Sequence, residues 1–561
     1  MKSENRTTDV LVVGSGAAGM MAARAAADGG ANVIIVDKSL IGRGGATILA
    51  QMTVAVALGD AEDDSPDIHF EDTMAGSRGM ADPAIVRAIV DNGPQVIRDL
   101  NDYGVRWAKT PDGRFSQVVS PGHSRKRCVY VDILNTGGAT STALRKWIWK
   151  DEKITRLKNV MITRLIKQDG RVVGAAGFSM EELKPVSISA SSTILATGGL
   201  TEIFERNSAS SNMTGDGYLL AAQAGCELND MEMVQFFPIA HLYPPLVGID
   251  PIMWDPFRYK LGGHLLNGNM EEFMDRYANE AAGEYTATRD LTSYAIFKEV
   301  EAGRGTPHGG AFLDFTMISE EELRKGFGPV IDILLKQGVD LTKDVVEVAP
   351  MAHFMLGGIK VNAAMETDVP GLFACGELIS GMHGANRLSG NAITEALVTG
   401  RIAGQQAAKS TLDRNDEYVE SESEAEWLRL SRFWHPREVE KDDRSILEIK
   451  RRIKKALWEG AGPLRTEAEL KNALEEIIQL RKEIEDTALA PAKYYALPLV
   501  EKIEAHNMTV IGESIILGAI ERRESRGAHV RLDFPEQLEE VYNMSFRLNS
   551  ENVWSVKKLN R

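Results

Sequence analysis

The stretch that most constrains this chain runs from Asp9 to Lys38 and reads DVLVVGSGAAGMMAARAAADGGANVIIVDK. Val10–Val13 is a short apolar run suited to a strand buried on both faces. Gly14, Gly16 and Gly19 then give G-x-G-x-x-G: the first glycine allows a tight turn, the second a close backbone approach to a pyrophosphate, the third close packing of helix on strand. Ala17 and Ala18 open a small-residue helix pattern to Ala27, whose N-terminal N–H groups and dipole favour phosphate. Asn32–Val36 reads as a second strand, and Asp37 at its end can accept hydrogen bonds from a ribose diol. The glycine motif between strand and helix, with an acid at this distance, predicts a dinucleotide site at Asp37 and its neighbours Lys38 and Ser39.

A length of 561 residues implies several domains, and 43% hydrophobic with 26% charged residues is the make-up of a globular protein with a large core. The net charge of −16 argues against nucleic acid as a partner. Cys128, Cys226 and Cys375 stand far apart without C-x-x-C, so no metal site, cluster or disulfide framework is expected. No signal peptide is read at the polar N-terminus, and no apolar run reaches the roughly 18 residues that span a bilayer. A cytoplasmic enzyme without direct membrane insertion, alone or as one member of a complex, is the expectation.

Further along, Ser39 to Thr47 is a loop carrying Gly44 and Gly45, which beside a dinucleotide site suits a wrap around a flavin. Residues 60–150 read as mainly helical, with Asp82–Leu100 the clearest example. Val160 to Phe178 alternates and is split by Asp169-Gly170, a hairpin signal. Ser187 to Leu200 is a strand running into a second glycine turn, Ala196-Thr197-Gly198-Gly199, which favours FAD over NAD. From Phe236 to about Pro350 proline, aromatic and acidic residues replace the small-residue texture, as in an inserted domain. Val369 to Glu377 returns to strand and turn, and a helix pattern follows from Asn391, Ala392 and Ile393, its N-terminus facing the electron-rich end of a flavin. Beyond it, Ile446, Ile449, Ile453 and Leu457, then Leu470, Leu474, Ile477 and Ile484, mark a helical bundle. The basic run Lys450–Lys455 reads as a solvated face, with a docking patch as the alternative.

Several passages together resemble the flavoprotein subunits of the succinate dehydrogenase / fumarate reductase family, whose relatives include L-aspartate oxidase and adenylylsulfate reductase. They are the N-terminal glycine turn, Ala196-Thr-Gly-Gly199, Thr214-Gly-Asp216-Gly217, Met231–Phe236, Phe273–Tyr277, Ala352–Gly358, Gly376-Glu377, His383–Leu388 and Glu524–His529. The resemblance implies an α/β fold: a Rossmann-type FAD-binding domain with an inserted α+β capping domain and a C-terminal helical bundle. The expected bounds are 1–235 and 351–415 for the FAD domain, 236–350 for the cap, 416–535 for the bundle and 536–561 for a tail. It implies hydride transfer between flavin N5 and a carbon–carbon bond next to a carboxylate. Arg387 and His353 match residues that grip a substrate carboxylate, Glu377 a flavin-ribityl contact, and a small iron–sulfur protein is the implied electron partner.

Three passages depart from the family pattern. Q-F-H-P-T becomes Gln235-Phe-Phe-Pro-Ile239, so Phe237 and Ile239 stand where polar groups bind a carboxylate. An ungapped match puts Glu272 at the proton-transferring arginine, as an acid/base in its place. Ala46 stands where respiratory members carry the histidine that bonds to flavin, so the FAD is expected to be non-covalent. An unpaired buried carboxylate is costly, so the expected substrate has one carboxylate or carbonyl and is not fumarate or succinate. The alternatives are an adenylylsulfate-reductase-like subunit and a non-catalytic electron-relay flavoprotein.

Overall fold

The computed structural model describes residues 4–131, 135–249, 251–278, 288–410, 413–432, 446–487, 489 and 495–560. The first strand, Glu4–Val13, lies parallel between Val33–Val36 and Lys184–Leu195. Ile154–Leu157 extends this seven-stranded sheet on one side. On the other side the long strand Lys184–Leu195 serves two partners: its first half pairs antiparallel with Arg171–Ser179, and its last residues pair parallel with Leu372–Ala374. Val10, Leu11, Val12, Ile35 and Val36 are fully buried, as the apolar run requires of a strand covered on both faces. The hairpin falls where the sequence puts it: Val160–Gln168 pairs with Arg171–Ser179, and Asp169 and Gly170 both take positive φ, at 52° and 82°. That is the geometry a two-residue turn of matching twist demands.

The helix Ala17–Asp28 packs on the helix Asn391–Ala407 through small residues: a Cβ on Gly400 or Gly404 would overlap the carbonyls of Ala18 or Ala22. Residues 60–150 carry the helices Pro66–Gly76, Pro83–Asp102 and Thr136–Trp149, with the Asp82 carboxylate accepting from Ala84 N–H at the start of the second. They also carry most of a small sheet of Val54–Ala55, Gln117–Val118 and Cys128–Val129 that a purely helical reading does not include.

Within 236–350 a separate antiparallel sheet, ordered Val234–Tyr243, Val346–Met355, Ala311–Asp314, His264–Leu266, closes over a core of its own. Trp254, Phe257, Phe315 and Phe327 meet there at ring distances of 4.3 to 6.0 Å. Aromatic packing of this kind explains why the composition changes at this point of the chain. Past residue 415 the helices Asp416–Ser431, Ile446–Ala461, Glu467–Asp486 and Leu497–Glu521 follow, and Ile449, Ile453, Leu457, Leu470, Ile477 and Ile484 all face inward. The basic run is tied down. Lys450 pairs with Glu501 and Glu504, Arg451 with Glu448, Arg452 with Glu476 and Glu483, Lys454 with Glu202 and Lys455 with Glu459.

The segment read as a tail is structured. Tyr542–Leu548 pairs with Trp554–Asn560, and the hairpin joins Leu228–Asn229 and Gly358–Ile359 in a four-stranded sheet. Residues 1–3, the start of the polar N-terminal run, lie outside the described residues. Among the described residues no helix is long and apolar enough to cross a membrane, and no group of ligating side chains could hold a metal ion.

Candidate functional site

A cavity of about 420 Å³ lies where the two glycine turns, the loop 39–47 and the cap meet. Gly14, Gly16, Ala17 and Ala18 line one end with Asp37, Lys38 and Asp216. Gly44, Gly45 and Thr47 line its side, opposite Ala196, Thr197 and Gly198. Glu377, Ala392 and Ile393 form its floor, and His353 and Arg387 stand at the cap end. Three expected residues sit one layer back. Gly19 packs helix on strand, since a Cβ there would overlap the Gly14 carbonyl. Ser39 donates from N–H and Oγ to Asp37 Oδ1. Asn391 is fully buried, accepting from His69 Nε2 at 2.9 Å and donating to Thr73.

The dinucleotide end is built for close backbone approach. Gly14 takes φ +103°, and a Cβ there would overlap the Ala196 carbonyl. Gly45 and Gly198 also have positive φ, with open space where a Cβ would point. The helices Ala17–Asp28 and Asn391–Ala407 both start at a glycine with no side-chain cap. Ala17 N–H donates to Thr47 Oγ1 at 3.0 Å and Asn391 N–H to Leu388 O at 3.3 Å, and the positive dipole ends favour an anionic ligand. This cradle fits a group with a pyrophosphate and a flat ring. Asp37 and Lys38 line it and are also tied to the protein. Each Asp37 oxygen already accepts two hydrogen bonds, from Ser15 and from Ser39, so the carboxylate fastens the glycine turn. Lys38 Nζ donates to Asp216, Glu504 and Thr214 at 2.6, 2.7 and 2.8 Å. An ammonium has three donors, and all three of Lys38 are used within the cavity wall.

At the cap end, Arg387 is 6% exposed and its guanidinium lies 4.6 Å over the Phe354 ring, a favourable cation–π contact. Gln235 holds the turn that carries it, donating to Arg387 O at 3.0 Å. His353 is fixed through Nδ1, 2.8 Å from Ser208 Oγ, and meets Phe237 edge-on at 5.3 Å. Phe237, Met253, Ile249 and Pro251 make this end apolar. Glu377 accepts from Met355 N–H at 3.0 Å, and burial pushes its carboxyl up to about 8 against the pull of that N–H and of Arg387.

Two expectations about this end are corrected. Ile239 does not line the cavity: it is fully buried in the core of the cap, where the strand's register shifts between Phe237 and Ala240 and the regular alternation of faces is broken. Glu272 does not line the cavity either. Its side chain is 66% exposed beside His264, on the outer edge strand of the cap sheet, where the bridge of Glu272 to Leu266 places it. An ungapped match counts residues but cannot say which way a turn residue faces. Conversely, Ser208, His69, His123, Glu504 and Asn507 support the site without any local sequence signal, since each acts on a residue far away in the chain.

The fold and this cavity define an FAD-dependent oxidoreductase. The FAD binding domain family model matches residues 9–393, and the model of the fumarate reductase flavoprotein C-terminus matches 450–555. The chain belongs to the fumarate reductase / succinate dehydrogenase flavoprotein family. It is 37% identical over 542 residues to one subunit of the fumarate reductase (CoM/CoB) of Methanothermobacter marburgensis, covering 96% of each chain. A quinol fumarate reductase of E. coli superposes with a TM-score of 0.90 at 27% identity, over 99% of this chain and 97% of that one. The adenylylsulfate reductase of Archaeoglobus fulgidus superposes at 0.77 over 100% of this chain and 97% of that one, and its 21% identity speaks to the fold alone.

Proposed function

We propose that the protein transfers a hydride to or from a carbon–carbon bond of a substrate with one carboxylate or carbonyl and an apolar remainder. The observation that carries this is the composition of the cap end: one guanidinium and one histidine, and beside them Phe237, Met253, Ile249 and Pro251. FAD supplies the two-electron chemistry. Arg387 offers the bidentate fork that matches a carboxylate, and the Phe354 face below keeps that fork from turning. Ser208 orients His353 toward the same group. The apolar wall takes the rest of the substrate and excludes water, which strengthens both polar contacts. A fully symmetric dicarboxylate would leave its second charge against that wall.

A second reading, reduction of fumarate, is supported by the 37% identity to the M. marburgensis enzyme. The two separate on one experiment: flavin reoxidation of the reduced holoprotein by fumarate and by α,β-unsaturated monocarboxylates of increasing apolar bulk. Faster turnover of the monocarboxylates supports the first reading, and faster turnover of fumarate overturns it in favour of the second. Flavin that cycles with an iron–sulfur protein but with neither acid class would make the chain an electron relay. We propose such an iron–sulfur protein as the electron partner in any case, a reading supported by the M. marburgensis relative, which is itself one subunit of its enzyme. Ala46 lines the cavity and its methyl group has no atom able to bond to flavin, so the FAD is held without a covalent link. Acid precipitation should leave the yellow colour in the supernatant.

A further inference from the structure

The bundle that ends the chain touches the cofactor end of the cavity through one chain of alternating charges. Asp216 opens the helix Asp216–Ala224 and faces the cavity. Its Oδ2 accepts from Lys38 and Thr214, and its Oδ1 accepts from Asn507 Nδ2 at 2.8 Å. Lys38 continues to Glu504 Oε1, and Glu504 Oε2 accepts from Lys450 Nζ at 2.9 Å, which reaches on to Glu501. Glu504 and Asn507 belong to the helix Leu497–Glu521 and Lys450 to Ile446–Ala461. The Lys38, Asp216 and Glu504 side chains are only 15, 12 and 7% exposed, so these are contacts made out of water. Burial alone pulls the Lys38 pKa down, but Asp216 and Glu504 beside it carry it above the ordinary lysine value.

We infer that the helical bundle is a working part of the FAD site, with Glu504 and Asn507 as positioning residues that hold Lys38 and Asp216 in the cavity wall. The physical reason is that both carboxylate oxygens of Asp216 and every donor of Lys38 are already used within the protein. The wall keeps one shape only while the bundle supplies two of those contacts. Glu504 without its charge would free a donor of a buried ammonium, which then pulls on Asp216 or turns into the cavity. Asn507 without its amide would leave a buried carboxylate oxygen bare. Either change reshapes the surface against which the dinucleotide lies, and neither touches the cap end. The inference is therefore independent of the substrate.

The test is FAD affinity of the full chain, by flavin fluorescence on titration of flavin-free protein. Losing one charge-assisted contact of this kind should raise the FAD dissociation constant about tenfold in Glu504→Gln and in Asn507→Ala. The double variant should lose less than the product, because both act on one wall. Arg452→Gln serves as the comparison: it breaks bundle ion pairs with Glu476 and Glu483 without touching Lys38 or Asp216, and should keep FAD affinity within twofold. Melting and circular dichroism of all variants confirm that the flavin-free chains are folded. Unchanged affinity in Glu504→Gln would overturn the inference. So would an Arg452→Gln variant that loses FAD as strongly, since the effect would then be general loosening of the bundle.

Discussion

Arg387 carries more of the proposed chemistry than any other side chain, and its setting shows what a single residue can be asked to do. Truncating one partner of a buried, hydrogen-bonded charge pair costs several kcal/mol. Arg387→Gln should therefore lower kcat/KM for the carboxylate substrate by about 10²- to 10³-fold, while flavin content, read from the visible flavin absorbance, stays at the parental level. Glu272→Gln should leave steady-state kinetics unchanged within about twofold, because the carboxylate sits in water on the outer edge of the cap. An equal loss in both variants would mean that the cap closes differently around substrate than it lies here. At this scale the sequence is a good guide wherever a residue type has one physical use. Gly14, Gly45 and Gly198 must be glycine because of their positive φ and the space they leave, and that need is visible in a motif. Asp37 and Lys38 are placed at the cavity by the motif, as it implies. Their partners within the protein, serine hydroxyls and a glutamate 466 positions away, are contained in no local pattern.

Elements show how the arginine is held. The turn at residues 524–529 packs directly on the turn that carries Arg387. Ala528 N–H donates to Ala385 O at 2.8 Å, Arg526 Nη1 donates to Arg78 O, and Ala385 N–H donates to Ser77 O. Gly527, at φ +55°, lies so close that a Cβ would overlap the Ala385 carbonyl. Gly527→Ala should push Ala385 away and move Arg387, two residues on, off its line. The expected outcome is a KM increase of about tenfold or more, since displacement by a fraction of an ångström weakens a bidentate contact, with FAD affinity unchanged. Steady-state kinetics beside a flavin titration check this, and a joint loss of both would point to general misfolding of the turn. The first β-α-β unit and the Asp169-Gly170 hairpin are legible because strand, turn and partner are adjacent in sequence. The C-terminal hairpin is not, although Tyr542, Met544, Phe546 and Leu548 alternate with period two. Its pairing partner at Leu228–Asn229 lies more than 300 residues earlier, and an isolated alternation of this length is easily taken for a tail.

On the scale of the whole molecule, the buried titratable groups set how stability depends on pH. Burial holds His69 down to about 3, with His123 and Arg127 adding to the effect, and holds His123 and His506 down to about 4. His529 is lowered as well, by burial and by Arg465 and Arg522. His123 is faced by Arg127, Asp72 and Arg387 and donates to Ser389 O, next to the substrate arginine. Each of the four is neutral in the fold, whereas in the unfolded chain each takes up a proton below about 6.5. The unfolded state thus binds more protons between about 4 and 6.5, so stability rises with pH across that window and is lost as pH falls. Three carboxyls act the other way. Burial raises Glu377 to about 8, and raises Asp64 and Asp230, the latter with help from Glu232. Glu377 and Asp230 keep their protons in the fold where the unfolded chain has released them, and Asp64 releases its proton later than in the unfolded chain. All three therefore lower stability as pH climbs above the ordinary carboxyl range. Four histidines outweigh three carboxyls below about 6.5, and from there to about 8 the raised carboxyls dominate. The melting temperature of the flavin-free chain should therefore pass through a maximum near about pH 6.5 and fall on both sides. His123→Gln keeps an N–H donor for Ser389 O but cannot titrate, and should make the acid limb shallower without moving the alkaline one. A parental profile that is flat from about pH 5 to 8 would show that these histidines take up protons in the fold, and that the cluster behind the substrate arginine is open to water.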